Sequence, residues 1–210
     1  MYQAVSVKTM RESDAWTIKN LISSKELMFR AGKGIYESAS WEAPVLIAAG
    51  KGNNAGDGYV VASLLSDAGV PCEILLLEDR FSEDGRYYYD ICVSKGIPSR
   101  IYTPGESLKK YGTIVDCLLG TGFSGEVSGS LRALIEEINA SGAYVVSADI
   151  NSGLNGDTGL GDCCVISDLT VSIGAYKPGH FLGRAPEVMK ARTNCDIGIK
   201  IVGEILEINA

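Results

Sequence analysis

The sequence predicts an α/β domain built on a mostly parallel sheet with helices on both faces, and three observations carry that reading. Short apolar runs recur at 45–49, 72–77, 114–119, 144–150 and 169–173. Segments of helical periodicity lie between them, and strands apolar on both faces alternating with helices mark a buried parallel sheet. Glycine is concentrated: windows 50–58, 120–129, 153–161 and 174–183 hold 15 of the 25 glycines in 38 of the 210 residues.

From the amino terminus, two capping-box patterns, Thr9-x-x-Glu12 and Ser23-x-x-Glu26, are expected to open helices. After the second, Leu27, Met28, Ala31, Ile35 and Ala39 fall near helical spacing and give one apolar face to pack on a sheet. The run at 45–49 is the first of the five strands, and Val61, Leu64, Leu65 and Ala68 give the helix between it and the run at 72–77. Strand 114–119 follows. Leu131, Leu134, Ile135 and Ile138 repeat the helical spacing before strand 144–150, and 169–173 is the last apolar run. Each glycine window follows one of these strands. All four are therefore expected at the carboxyl edge of the sheet, where such folds bind ligands, as one site made from four loops.

The length fits one domain spanning 1–210, and a net charge of −7 with 46% hydrophobic residues excludes a disordered acidic chain. No basic block offers a nucleic-acid surface, and no apolar run approaches the ~20 residues of a membrane span. The N-terminal segment has no apolar core of the kind a secretory signal needs. Six cysteines without a Cys-x-x-Cys pair, and a single histidine, His180, leave no zinc ligand set and predict reduced core thiols in a cytoplasmic protein.

The first loop, Gly50-Lys51-Gly52-Asn53-Asn54-Ala55-Gly56-Asp57-Gly58, leads into a helix whose N-terminus offers N–H groups to phosphate. Its residues 50–55 satisfy the loose dinucleotide pattern, with Glu78 and Asp79 after the next strand. Asp57 is placed by this reading at the helix cap; the paired asparagines are not explained by turning alone. The second motif puts Asp116 inside an apolar strand, where a carboxylate is costly unless paired, hydrogen-bonded or bound to a cation. The loop behind it, from Gly120 to Glu126, is rich in glycine and hydroxyls. The third, Asp149-Ile150-Asn151-Ser152-Gly153, places another carboxylate at a strand exit, and the fourth supplies one cation, Lys177, for phosphate pairing or charge balance. Asn54, Asp116 and Ser152 together offer amide, carboxylate and hydroxyl oxygens, a set suited to an alkali or alkaline-earth ion.

The four segments GKGNNAGDGYVVA, VDCLLGTGFSG, SADINSGLNGDTG and SDLTVSIGAYKPG, in that order, resemble the YjeF N-terminal domain family, the NAD(P)H-hydrate epimerases. The resemblance runs to about Ile199. It implies a Rossmann-like three-layer α/β/α sandwich, a homodimer, and interconversion of the R and S epimers of hydrated NADH and NADPH, so that an S-specific dehydratase can repair them. It implies that Asn53, Asn54, Ala55, Gly56 and Asp57, then Gly120, Thr121, Gly122, Phe123, Ser124, Gly125 and Glu126, and finally Asp149 contact the hydrate. It also implies that one potassium ion per subunit sits on Asn54, Asp116 and Ser152. Two positions depart from the family pattern: Ala55 stands where glycine is usual, and Asn151 where proline is usual. The alanine is tolerable at negative φ, and loss of the proline is expected to loosen the loop before Ser152 slightly.

Asp149 is expected to be the acid/base group, because leaving and re-addition of a C6 hydroxyl, or ring opening, both need proton transfer. Burial would raise its pKa and a cation would oppose that, so the sequence leaves the direction open. Two other readings stand beside the enzyme: a non-catalytic binding module of the same fold, and an oxidoreductase using the 50–55 loop.

Overall fold

The computed structural model describes residues 1–209. The chain runs β1 (Tyr2–Ala4), α1 (Val7–Asn20), α2 (Ser24–Ser38), β2 (Val45–Ala49), α3 (Asn53–Asp67), β3 (Cys72–Leu76), α4 (Glu83–Ser94) and β4 (Ser99–Ile101). It continues with β5 (Thr113–Cys117), α5 (Gly129–Asn139), β6 (Tyr144–Ala148), β7 (Ser167–Ile173), a 3-10 turn (Pro178–His180), α6 (Ala185–Val188), β8 (Met189–Cys195) and β9 (Leu206–Ile208).

Seven strands form one sheet in the order β4-β3-β2-β5-β6-β7-β8, every neighbouring pair parallel. Strand side chains alternate between faces. Val45, Ile47 and Ala49 of β2 enter a core with Met28, Ile35, Val60, Leu65 and Tyr88, from α2, α3 and α4. Leu46 and Ala48 enter the opposite core with Leu134, Ile135 and Ile138 of α5 and with Leu108 and Tyr111. The result is the three-layer α/β/α sandwich that the resemblance implies. Each fully buried Leu or Ile in these layers contributes about 1.5–3 kcal/mol over its exposed state.

The strand order reverses at β2. The chain leaves β2 for β3 and β4 on one side and reaches β5 on the other, so the carboxyl ends of β2 and β5 flank a switch point, where open sheets of this kind hold their ligands. Close packing supports that edge. A Cβ on Gly58 of α3 would lie 2.8 Å from the Cys117 sulfur and 2.9 Å from Ile47, so glycine there lets the helix settle onto β2 and β5.

Several boundaries differ from the sequence expectations. Thr9 does not open α1: the helix begins at Val7, and Ser6 is its cap, its Oγ accepting the Thr9 N–H at 3.0 Å. Ser23 caps α2 as expected, accepting from the Glu26 N–H at 3.3 Å. Asp57 is not a cap either. The helix starts at Asn53 with Gly52 as its cap residue, which leaves Asp57 one turn inside and buried.

Strand β5 stops at Cys117 rather than at 119, because side chains take over the backbone donors. The Leu118 N–H turns to Asp116 Oδ1 at 3.3 Å and the Leu119 N–H to Ser152 Oγ at 2.9 Å. Strand β6 stops at Ala148 because Asp149 adopts φ +64°. Helix α4 and strands β1, β4, β8 and β9 carry no long apolar run, and they stand outside the elements the pattern of apolar runs foretold. All six cysteines are free thiols.

Candidate active site

A cavity of about 490 Å³ opens at the switch point. Its floor is the backbone of the loops after β2 and β5: Lys51, Gly52, Asn53 and Asn54 on one side, Leu118 to Phe123 on the other. Asp57, Asp149 and Lys177 project into it. Met10, Arg11 and Asp14 of α1, Leu27 and Met28 of α2, and Ile197 and Ile199 form the outer wall. The end of α3 facing this space carries no side-chain cap, so its first N–H groups remain available to an anion.

Of the residues singled out in the sequence, the cavity gathers Asn53, Asn54, Asp57, Gly120, Thr121, Gly122, Phe123, Asp149 and Lys177. Ala55 and Gly56 lie in the first turn of α3; Ala55 is buried, and a Cβ on Gly56 would collide with Met28. Among the described residues positive φ falls on glycines and on Asp149 alone, so Ala55 keeps the negative φ its methyl requires. Ser124, Gly125 and Glu126 are exposed beyond the cavity lining. The 153–161 window contributes nothing to the lining, and the fourth window contributes Lys177. Two glycine loops, not four, floor the cavity.

Asp116 and Asp149 are both buried carboxylates, and they are satisfied differently. Asp116 lies in β5 between Ala48 and Ser147, with no exposed surface. Its oxygens accept from Ser152 Oγ (2.5 Å), Ser152 N (2.9 Å), Ser147 Oγ (2.8 Å) and Leu118 N (3.3 Å). All four donors are neutral, and no cation pairs with it among the described residues. Burial raises its pKa above the ordinary carboxylate value, against the pull of those hydrogen bonds.

Asp149 has a cation. Lys177 Nζ, itself 1% exposed, lies 2.6 Å from Asp149 Oδ1, while Thr121 donates to Oδ2 from its N–H (2.9 Å) and its hydroxyl (2.8 Å). Burial alone would raise this carboxyl; the Lys177 ammonium and the Thr121 N–H outweigh it and hold the pKa below the usual range. Asp149 is thus an ionised carboxylate at the cavity wall.

Asp57 is the counterpart. It is buried, it faces the same cavity, and burial raises its pKa well above normal, with Asp149 and Asp14 adding to the shift and Lys177 opposing it. Two carboxyls whose environments drive their pKa values apart are the usual source of an acid and a base in one site.

Asn54 donates through Nδ2 to the carbonyls of Leu119 (2.9 Å) and Ala148 (3.3 Å), while its Oδ1 is buried without a hydrogen-bond partner. Ser152 Oγ also reaches the Leu119 carbonyl, at 3.3 Å. Asn54 and Ser152 therefore meet at the Leu119 carbonyl, and Ser152 links Asp116 to them.

The expectation that Asn151 loosens its loop is corrected by its contacts. Its fully buried Nδ2 lies within 3.0 Å of Val165 O, Ser167 Oγ and Val188 O, and its Oδ1 accepts from Thr170 Oγ1 at 2.6 Å. Hydrogen bonds to β7 and α6 do here what a proline ring would do by restricting φ. The outer wall from α1 and α2 had no local signal in the sequence. Arg11, which donates to the Gly122 carbonyl at 3.1 Å, joins the site across 111 residues of chain.

The family model described as YjeF-related protein N-terminus matches residues 24–179. An NAD(P)H-hydrate epimerase of Lentilactobacillus buchneri is 41% identical over 84% of this chain and 85% of its own length. A second, from Oenococcus oeni, is 34% identical over 93% of this chain and 96% of its own length. A bifunctional NAD(P)H-hydrate repair enzyme of Coxiella burnetii is 36% identical over 85% of this chain, which spans 38% of that longer protein. A crystal structure of a yeast protein superposes with a TM-score of 0.78 at 20% identity, covering 98% of this chain and 99% of that one, a likeness of fold.

Proposed function

Because the chain belongs to the family of YjeF-related protein N-termini, we infer that it is an NAD(P)H-hydrate epimerase, an isomerase that interconverts the R and S epimers of hydrated NADH and NADPH. The observation within the site that carries the reading is the pair of carboxyls on one cavity, Asp149 ionised against Lys177 and Asp57 biased to its neutral form.

In this reading Asp57 gives a proton to the departing C6 hydroxyl, which leaves as water while the ring nitrogen's lone pair closes onto C6. Water then adds at C6 from the other face and gives its proton to Asp149. Each passage moves one proton from Asp57 to Asp149, and exchange with solvent restores the starting state. The N-terminus of α3 and Lys51 supply the positive field for the pyrophosphate. Thr121 and Lys177 hold the base in place.

A potassium ion is part of this proposal. The unpartnered, buried Asn54 oxygen and the buried Asp116 carboxyl, which has no cationic partner among the described residues, both fit a hard monovalent ion on Asn54, Asp116 and Ser152. When bound, it would supply a fixed positive charge. Among the described residues, no group of three or more His, Cys, Asp or Glu side chains could hold a metal; the proposed set is an amide, a carboxylate and a hydroxyl oxygen.

The partner in this reading is an S-specific dehydratase, consistent with relatives described as bifunctional repair enzymes. Homodimer formation rests on the family resemblance, and a cytoplasmic location on six cysteines that are free thiols. No helix among the described residues is long and apolar enough to cross a membrane.

The test is a mixture of hydrate epimers treated with a purified S-specific dehydratase. Complete consumption only when this protein is added establishes epimerisation; arrest at the S fraction with the protein present rejects it.

A further inference from the structure

His180 is the chain's one histidine, and the catalytic reading above leaves it without a task. It is fully buried, and its ring touches both members of the Asp149–Lys177 pair. Nε2 lies 2.6 Å from the Asp149 backbone oxygen, and Nδ1 lies 3.1 Å from the Lys177 backbone nitrogen. Nδ1 also lies 3.1 Å from the Lys177 carbonyl, but a neutral ring has one proton, and the shorter Nε2 contact takes it; bare Nδ1 then accepts the Lys177 N–H. Burial and the Lys177 charge push the ring's pKa down to about 4, which keeps it neutral in this tautomer.

What the ring holds is unusual. Asp149 is the one non-glycine residue with positive φ among those described, at +64°. The Ile150 N–H bonds to the Ala148 carbonyl at 2.8 Å, which makes Asp149 the centre of a three-residue turn of the strained hand. Such a conformation persists only where its surroundings over-determine it. The Asp149 N–H is held by Val171 O at 2.8 Å and its carboxylate by Thr121 and Lys177. The partner of its carbonyl is His180.

We propose that His180 is a positioning residue for the reaction: one neutral imidazole fixes the strained turn that aims the Asp149 carboxylate into the cavity and, through the Lys177 backbone, sets the counter-ion beside it. This rests on the epimerase reading and deepens it. His180 is not a proton carrier here, since both of its nitrogens are engaged with backbone.

The test compares His180→Gln, whose amide nitrogen reaches as far as Nε2, with His180→Asn, which is polar but too short to meet the Asp149 carbonyl. Three quantities are read: kcat and KM in the epimer assay, thermal stability, and hydrogen exchange of the Ile150 N–H. Expected are a kcat within about 3-fold of wild type for glutamine and a loss of about 30-fold or more for asparagine, with KM moving less than about 3-fold in either. Exchange at Ile150 should rise at least about tenfold in the asparagine protein only. Placed on Asp149→Asn, the His180→Asn change should cost less than about 2-fold further, because the group it positions is already gone.

Equal kcat in the glutamine and asparagine proteins, or full multiplication of the two losses, overturns the proposal. If asparagine does not fold, His180→Ser takes its place in the comparison. Should wild type fail to epimerise, the epimerase reading falls, while exchange at Ile150 still decides whether His180 holds the turn.

Discussion

The loops after β2 and β5 and the loops at 153–161 and 178–183 are rich in glycine and sit at the same edge of the sheet, yet only the first pair opens glycine backbone to the cavity. In the first pair Gly52 and Gly120 leave the backbone open to the cavity, while Gly50 and Gly58 pack against Leu118, Cys117 and Ile47. A Cβ on Gly52 would meet nothing within 4 Å, and one on Gly120 would meet only the side chains of Asp149 and Asn54, at 3.2 Å or more. In the second pair the backbones press on each other. A Cβ on Gly153 would collide with the Cys163 carbonyl, one on Gly179 with the Asn155 carbonyl, and one on Gly159 with the Leu182 carbonyl. Gly52 and Gly120 make room for a ligand, and the glycines of the second pair make a dense platform. Asp149, His180 and Lys177 lie where the two meet: the platform stiffens the segment that carries the base and its cation, while the open loops present the surface it works on.

The largest break in this division comes from Asp149→Asn. It keeps the size of the side chain and removes the charge, so turnover should fall by about 10³-fold or more, within or near the range for loss of a positioned acid/base group. Binding of an NADP-type ligand, measured by calorimetry, should change little. Near-native turnover would remove Asp149 from the mechanism.

The platform has its own signature in acid. The His180 pKa is lowered to about 4 in the fold against the ordinary 6.5, so between those values the unfolded chain binds more protons. Stability from this group is fully present above about pH 6.5 and is lost as pH falls towards 4, a change on the order of 3 kcal/mol at most. Asp116, whose pKa is raised, works with the opposite sign and flattens the wild-type slope. Denaturant unfolding of wild type and His180→Gln across this window isolates the histidine: the glutamine protein should lack its share of the slope.

The comparison also accounts for how much could be read before the structure. The five apolar runs located the central strands, and Asp116, Asp149 and Lys177 were visible because a charge inside or beside such a run is costly. The clustering of glycine was visible too, but a glycine is the same letter whether it faces a ligand or a carbonyl. Only tertiary contacts separate Gly120 from Gly153. The same holds for Asn151, whose four partners come from β7, its approach and α6, and for Met10 and Arg11, which wall the cavity from a helix more than a hundred residues away in the chain. Strand β8 escaped because its seven residues include Lys190, Arg192 and Asn194, an edge strand with little apolar signal.

A matched pair of substitutions tests the division directly. Gly153 has φ +98° and a carbonyl against its Cα, so Gly153→Ala should destabilise the fold by about 2–3 kcal/mol while leaving kcat of the folded fraction nearly intact. Gly120→Ala should change stability by less than about 1 kcal/mol and lower kcat/KM by about tenfold or more, since the new methyl presses on the Asp149 carboxylate. If both variants lose stability and activity in the same proportion, the two loop pairs are not functionally distinct.

Potassium gives the smallest expected effect and the finest test, because its proposed ligands straddle the two regions. Asn54 belongs to the open side, on the first turn of α3; Ser152 belongs to the segment entering the platform; Asp116 lies in the strand between them. An ion there would tie the sides together and favour the charged form of Asp116, whose four hydrogen-bond donors are neutral. Replacing potassium by a bulky organic cation at constant ionic strength should lower kcat/KM by about tenfold and lower Tm by a few degrees, roughly 1 kcal/mol of linkage. Asp116→Asn removes the charge, so its activity and Tm should respond to neither cation. A wild-type Tm and rate indifferent to the exchange would leave Asp116 as a purely hydrogen-bonded carboxylate that joins β5 to the Ser152 loop.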